Sequence, residues 1–437
     1  MSYWQRFNRK ATNWRVPLKI LLVNQGWFKS ELEQLGHEVR SIGYGPYCDI
    51  QIGTLGLHIN QIFEQIDFFP DRVVVLDDSG SPWFIGLEDL EIPCVFFSVD
   101  THHHLSWHRF YFDLFDHVYV AQYPYLQGLE HPSIEWFPLW ATLETVPQLE
   151  KTIPIAFRGT LDPALHPERT EFFRRLQELV EIDCAKGSWD DIYPKAKIVV
   201  NQSVSNDLNF RVFEAMSSGA LLLTPRTNCG IDRLFTEGEH YVTYQLGNAE
   251  DAARVAKYFL QNESARSEIA RKGYAEIQRA HTQIIRAKTL SDKLESIERR
   301  PISTRTRSAF NTFIHTFLAI QRSEESSNLQ LAQNAAIALA EKMLRVYGVD
   351  EDATNLVIVL SSLYSVGRYD ELEQLASKIL MVTDRAEITL FKIGALLGKH
   401  DNARALNEAS RISEFPEELL ASVPELLQRM RESSNPD

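Results

Sequence analysis

Residues 206–225 read NDLNFRVFEAMSSGALLLTP: a polar turn, an amphipathic segment, a glycine and an apolar run. KIVVNQS (197–203) stands just before them as a short Val/Ile run. Strand, turn, helix, glycine and strand in that order make a βαβ unit, the connection that parallel strands require. The helix is expected to start at Asn206 or Asp207, either of which can cap it. Gly219 lets the chain turn sharply into ALLLTP. Arg211 and Glu214 are three apart and share one helical face. A helix start offers free N–H groups and a positive dipole end, which together suit an anion. The fork of Arg211 matches a phosphate, and Glu214 can accept hydrogen bonds from a ribose diol. The same pair is also what a solvated helix surface carries, and these residues alone do not choose between the two.

The pattern continues in both directions. Upstream, LKILLVN (18–24), HEVRSIGY (37–44), RVVVLDD (72–78), IPCVFFSVD (92–100) and DHVYVAQ (116–122) are strand-like, with helical material between them. Continuous apolar runs of this kind point to a parallel sheet covered on both faces. FPLWATLETVPQLEKTIP (137–154) has no clear period and reads as a linker. The alternation then restarts with IPIAFRG, PERTEFFRRLQELV, EIDCAKG, DDIYPKA and KIVVNQS, and after ALLLTP comes HYVTYQ. Helices are expected near 248–262, 264–279 and 281–299. From about 301 the strands stop. LYSVGRYDEL (363–372) and GALLGKHDNA (394–403) echo one another at an offset of 31, pairing Gly367 with Gly398 and Asp370 with Asp401. A glycine closing one helix and an aspartate capping the next is helix-hairpin punctuation, at a period close to that of tetratricopeptide-like (TPR-like) repeats. The predicted fold class is α/β: two Rossmann-like domains over 1–140 and 141–300, followed by an all-α, TPR-like helical region over 301–437.

Composition narrows the class of function. A chain of 437 residues suggests two or three domains. A formal net charge of -14 argues against broad phosphate neutralisation, hence against a nucleic-acid partner. Cys48, Cys94, Cys184 and Cys229 are scattered and read as reduced thiols of a cytoplasmic protein. The first residues show no leader pattern, and no apolar run is long enough for a membrane span.

A second loop supports the anion reading. FRGTLDPALHPER (157–169) ends a strand at Gly159 and follows it with Thr160 and Arg169. IAFRGT, KIVVNQSVSNDLNFRVFEAMSSGALLLTP, LFTEGEHYVTY and AHTQIIRA, in this order, resemble the C-terminal half of GT-B glycosyltransferases, most nearly the CgeB-like (spore maturation protein) group. The resemblance is strong over 150–295 and weak over 17–140. It implies two facing Rossmann-like domains, the second holding a nucleotide sugar and the first an acceptor, with chemistry that needs no metal and no cofactor beyond the nucleotide diphosphate sugar. It also implies that Glu214 contacts the ribose, that Gly159 and Thr160 lie under the diphosphate, and that Arg169 or Arg211 stands in for the basic pair. Retaining relatives carry a glutamate eight positions before the one that Glu214 matches; here Asn206 occupies that place. Asn206 and Asn209 complete the expected donor-binding set. The glycine-rich loop of the first domain is reduced to Gly26.

VDTHHHLSWH (99–108) ends another strand and places Asp100, His103 and His104 at a helix start. A histidine there feels the positive dipole end and stays neutral, as a general base must. Asp100, His103 and His104 are the catalytic candidates. A polar structural loop is the competing reading, and metal binding by His104 and His108 at i, i+4 spacing a third. The expected activity is transfer of a sugar from a nucleotide sugar to an acceptor hydroxyl. The rivals are a nucleotide-sugar epimerase and an inactive nucleotide-sugar-binding scaffold acting through its helical tail. The acceptor stays open among glycan, protein and small molecule, and residues 301–437 are a candidate surface for a protein partner or self-association.

Overall fold

The apolar runs form two parallel sheets. The computed structural model describes residues 16–52, 57–80, 82–142, 149–301, 304–322, 326–348 and 353–412. The first sheet holds β1 (Lys19–Val23), β2 (Glu38–Gly43), β3 (Ile50–Gln51), β5 (Arg72–Leu76), β7 (Cys94–Ser98), β8 (His117–Val120) and β9 (Ile134–Trp136), in the order β3-β2-β1-β5-β7-β8-β9. Every pairing in it is parallel; Leu22, for example, faces Ser41 on one side and Val74 on the other. β4 (Leu57–His58) and β6 (Phe84–Ile85) form a small separate pair. The second sheet holds β10 (Ile153–Arg158), β11 (Asp183–Ala185), β12 (Ala196–Val200), β13 (Leu221–Pro225) and β14 (Val242–Tyr244), all parallel, in the order β11-β10-β12-β13-β14. Both orders are doubly wound, and all five residues of β7 and of β13 are buried, as helices on both faces require.

One core cluster joins the two units. Phe28, Phe97 and Trp140 belong to it together with Val199, Val212 and Phe213. The described part of the expected linker is no open connection: Phe137, Leu139, Trp140 and Ala141 are buried. Residues 143–148 lie outside the described residues, as do 1–15. Arg286 donates to the carbonyls of Pro138 (2.8 Å) and Leu139 (3.4 Å), and Ala141 N–H donates to His281 O at 2.9 Å. The chain therefore crosses between the units twice, side by side. After the second crossing the helix Gln283–Ser296 returns to the first unit, where Arg72 Nε donates to Leu294 O at 2.8 Å.

Residues after 301 are helical where described: Arg305–Arg322, Ser326–Tyr347, Ala353–Ser365, Tyr369–Ile379, Ala386–Gly398 and Asn402–Ala409. The sequence pattern had not singled out the first of these. It carries Phe310 and Phe313 into one cluster with Phe96, Tyr111 and Leu114 of the first unit. Buried Asp116 binds this junction: its carboxylate accepts from Cys94 N–H, Arg300 N–H, Arg299 Nη1 (2.9 Å) and Arg305 Nη2 (2.6 Å). The echo at offset 31 holds only in part. Gly367 takes a left-handed φ of 75°, but in the second copy His400, not Gly398, turns the chain, with φ 61°. Asp401 caps its helix by accepting from Arg404 N–H, whereas Asp370 sits inside the first turn behind Arg368.

Candidate functional site

β10 has β11 on one side and β12 on the other, so the chain reverses direction across the sheet between β10 and β12. At such a point the flanking connections leave on opposite faces and open a crevice beyond the strand ends. Gly159 ends β10 there and Asn201 follows β12. Arg211, in the first turn of the helix Phe210–Ser217, bridges the opening. Its Nε and Nη2 donate to Arg158 O at 3.1 and 2.8 Å, and its Nη1 to Asn201 Oδ1 at 2.8 Å. The guanidinium lies 4.5 Å over the Phe157 ring. A Cβ on residue 159 would come within 2.6 Å of Arg211 Nη2 and 2.8 Å of the Phe157 ring, so a side chain there would displace the Arg211 fork from its present place.

Arg169 reaches the same place from the helix Pro167–Leu179, its Nε donating to Gln202 O at 3.2 Å. Burial lowers its guanidinium to about 10, and the neighbouring charge of Arg211 adds to the effect while Asp207 opposes it. Two cations held this close are stabilised by an anion between them. A pocket of about 270 Å³ lies beside Arg169, bounded by His166, Gln202 and Ser203. Thr160 follows Gly159 at the rim, partly exposed.

The helix starts later than expected. Asn209 is its N-cap, but its side chain makes no capping bond; its Nδ2 donates to Asn201 Oδ1 at 3.2 Å. Asp207 does not cap, because its Oδ1 accepts from Ser203 Oγ (2.6 Å) and Val204 N–H inside the loop. Asn206 does not cap either: it sits at a left-handed φ of 56° and its amide donates to Asn228 Oδ1. Glu214 lies one turn on from Arg211. Burial pushes its carboxyl up to about 7, against the pull of Arg211.

The first sheet supplies the facing wall. Asp77, buried at the end of β5, accepts from Ser79 N–H (2.9 Å) on one oxygen, and from Val99 N–H (3.0 Å) and Asp100 N–H (2.9 Å) on the other. It thus ties together the loops that follow β5 and β7. Asp100 is the N-cap of the helix Thr101–Tyr111, but its carboxylate turns away from the helix to accept from Ser79 Oγ. His104 is part-buried between Asp100 and Asp78, and burial lowers its pKa. His108 is fully buried, with Nδ1 at 2.9 Å from Ser98 Oγ. His103 is exposed, its ring 4.0 Å from that of His102. His102, which the candidate set omitted, is the histidine that feels Asp207 of the opposite unit. Burial keeps it neutral, and its Nδ1 is sealed from solvent without a hydrogen-bond partner among the described residues. Helical spacing alone could have separated it from His103, since neighbouring residues point about 100° apart, but only the opposite unit shows which of them faces the cleft.

The two walls meet through Gln122, whose Oε1 accepts from Leu208 N–H at 2.9 Å and whose Nε2 donates to Val99 O at 3.3 Å. Between them lies a cleft of about 280 Å³, bounded by Trp27, Asp78 and Asp100 on one side and Asp207, Asn209 and Phe210 on the other. Left-handed backbone at non-glycine residues gathers beside it, at Asn24, Phe28, Ser79 and Asn206. Such strain persists where function holds it in place. The structure therefore brings Gly159, Arg169, Asn209 and Arg211 together at the crevice and sets Asp100 across the cleft from Asn209. Asn206 lines a pocket of about 760 Å³ that shares Gln202 and Ser203 with the pocket of Arg169, and His103 is left exposed. Among the described residues no group of three or more His, Cys, Asp or Glu side chains is arranged to hold a metal ion, and no helix is long and apolar enough to cross a membrane.

Residues 171–292 match the family described as glycosyl transferase-like. No curated protein matches the chain. Among solved structures, a glycosyltransferase from Rickettsia africae ESF-5 is similar at 10% identity, with a TM-score of 0.48, over 64% of this chain and 99% of that one. Anabaena Alr3699/HepE in complex with UDP-glucose is similar at 11% identity and a TM-score of 0.47, over 64% of this chain and 100% of that one. The sucrose-phosphate synthase from Thermosynechococcus elongatus shows 11% identity and a TM-score of 0.46, over 63% and 97%.

Proposed function

We propose that this chain is a glycosyltransferase that moves a sugar from a nucleotide diphosphate sugar to an acceptor hydroxyl without a metal ion. The observation that carries the reading is the pair Arg169 and Arg211 at the crevice of the second sheet, next to the cleft that Asp100 and Asn209 line. The family match over 171–292, which contains Arg211 and Glu214, supports it. In this reading Arg169, the remaining N–H groups of Arg211 and the free amides at the start of the helix Phe210–Ser217 hold the diphosphate. There they stabilise the negative charge that develops as the sugar leaves. Glu214 accepts from the ribose diol and gives up its proton on doing so. Asp100, with Ser79 fixing its carboxylate, takes the acceptor proton, and neutral His102 and His104 flank it. The relationship to CgeB-like proteins, the division at 140 and 300, and a TPR-like role for the helical region in partner binding or self-association belong to the same proposal.

The test is a melting-temperature screen with the diphosphates of uridine, guanosine, thymidine and cytidine and with their sugars. A ligand of the native state alone raises the melting temperature. At least one nucleotide should do so for the wild type and not for Arg169→Ala; no shift with any of them would overturn the reading. Asn206, which stands where retaining relatives carry a glutamate and is bonded to Asn228, favours one rival, a nucleotide-sugar-binding scaffold without catalysis. Release of nucleoside diphosphate from the bound nucleotide sugar separates the two: the transferase releases it and the scaffold does not.

A further inference from the structure

The charges of the cleft are segregated. The cations Arg169 and Arg211 stand at the crevice of the second sheet, outside the residues that bound the cleft. The cleft itself carries Asp77, Asp78, Asp100 and Asp207, with His102 and His104 beside them, and no lysine or arginine among the described residues that line it. Burial raises the carboxyls of Asp77 and Asp78 and favours the neutral form of both histidines, whereas Asp207 is held below the usual carboxylate range by Ser203, with His102 nearby. The remaining lining is two aromatic rings, three amides, Ser79, Val99 and Leu139. Trp27 packs edge-on against Phe210 across the two units with ring centroids 6.0 Å apart, and Gln25, Gln122 and Asn209 line the same space. Two polar atoms at this place, Nδ1 of His102 and Oδ1 of Asn209, are sealed from solvent and have no hydrogen-bond partner among the described residues.

From this we infer that the acceptor is an uncharged carbohydrate, and that acceptors bearing phosphate or carboxylate are excluded. The inference rests on the transferase reading. An aromatic wall matches the C–H face of a pyranose ring, while carboxylates, amides and a neutral imidazole match its hydroxyls, each of which can both donate and accept. An anionic acceptor would sit beside the carboxylates of Asp100 and Asp207 and near Asp78 in a part-buried site, where repulsion is poorly screened. The same segregation sets the direction of binding: the donor's diphosphate goes to the arginines and its sugar projects towards the carboxylates.

The experiment is ligand-observed NMR on the full chain, saturated with whichever nucleoside diphosphate raises its melting temperature. The probes are maltose, cellobiose and N,N′-diacetylchitobiose, set against glucose 6-phosphate and glucuronic acid. At least one neutral disaccharide should bind, and the two anions at least about tenfold more weakly. Trp27→Ala should abolish the neutral signal, and Asp78→Asn should narrow the discrimination against glucose 6-phosphate severalfold. Anions binding as tightly as the neutral sugars, no neutral sugar binding, or discrimination unchanged in Asp78→Asn would overturn the inference. The melting shift with nucleotide, read on the same samples, keeps its failure distinct from that of the transferase reading: a shift without sugar discrimination removes only the acceptor class.

Discussion

Arg169 and Arg211 look alike in sequence but are bound differently, and their substitutions should separate. Arg211 gives three hydrogen bonds to Arg158 O and Asn201, so Arg211→Ala leaves part-buried acceptors unmatched. It should cost about 3 kcal/mol of stability in denaturant unfolding as well as nucleotide affinity. Arg169 gives one bond, to Gln202 O. Arg169→Ala should leave stability almost unchanged and weaken nucleoside diphosphate binding at least about tenfold, the loss of one charge-assisted contact. Glu214 gives a prediction in pH. Its carboxyl rises from an ordinary 4.5 to about 7 in the fold. Between those values the folded chain holds a proton that the unfolded chain has released, so stability falls as pH rises through the window. The effect is about 3 kcal/mol, and Glu214→Gln should lack it when unfolding is compared at pH 5 and pH 8. Asp77, also pushed up to about 7 by burial, adds a slope of the same sign that both proteins share. At this scale residue type was legible in sequence and engagement was not. NDLNF offers three polar candidates for a cap, and only the loop geometry, in which Ser203 and Val204 occupy Asp207, leaves the position to Asn209.

Elements were read better than residues because their signal is distributed. Runs such as RVVVL and CVFFS fall on β5 and β7, since a strand buried on both faces can be built from little else. Strands with few apolar residues escaped the reading: β3 is IQ and β9 is IEW, both on the outside of the first sheet. The helix Arg305–Arg322 also escaped, because its apolar face is completed by another unit and not by its own neighbours in sequence. The ion cluster at Asp116 fixes that helix to the sheet. Removing the carboxylate strands two guanidinium groups in a part-buried place, so Asp116→Ala should destabilise by about 3–5 kcal/mol. Limited proteolysis should then cut within the helix Arg305–Arg322 faster than in the wild type; equal cutting rates in both proteins would show the cluster to be dispensable.

At the scale of the molecule, two doubly wound sheets face each other across a cleft and a helical region is built onto the far side of the first. That region shares one core cluster with the first sheet, so it is no detachable appendage. A chain ending at residue 300 would uncover Tyr111 and Leu114, which lie beside Ala309 and Phe313, and should aggregate on expression, by size-exclusion chromatography, where the full chain stays monodisperse or forms a defined oligomer. The doubling of the α/β pattern was legible in sequence; the double crossing at 138–141 and 281–286 was not, because Arg286 reads as one arginine among many until it meets Pro138 O and Leu139 O. The central claim is that the crevice between β10 and β12 receives a pyrophosphate. Titration calorimetry with uridine, guanosine, thymidine and cytidine diphosphates, on the wild type and on Arg169→Ala, tests it most directly. The account predicts heat with at least one of the four and at least about tenfold weaker binding in the variant. No heat with any of them, or equal affinity in the two proteins, would contradict it.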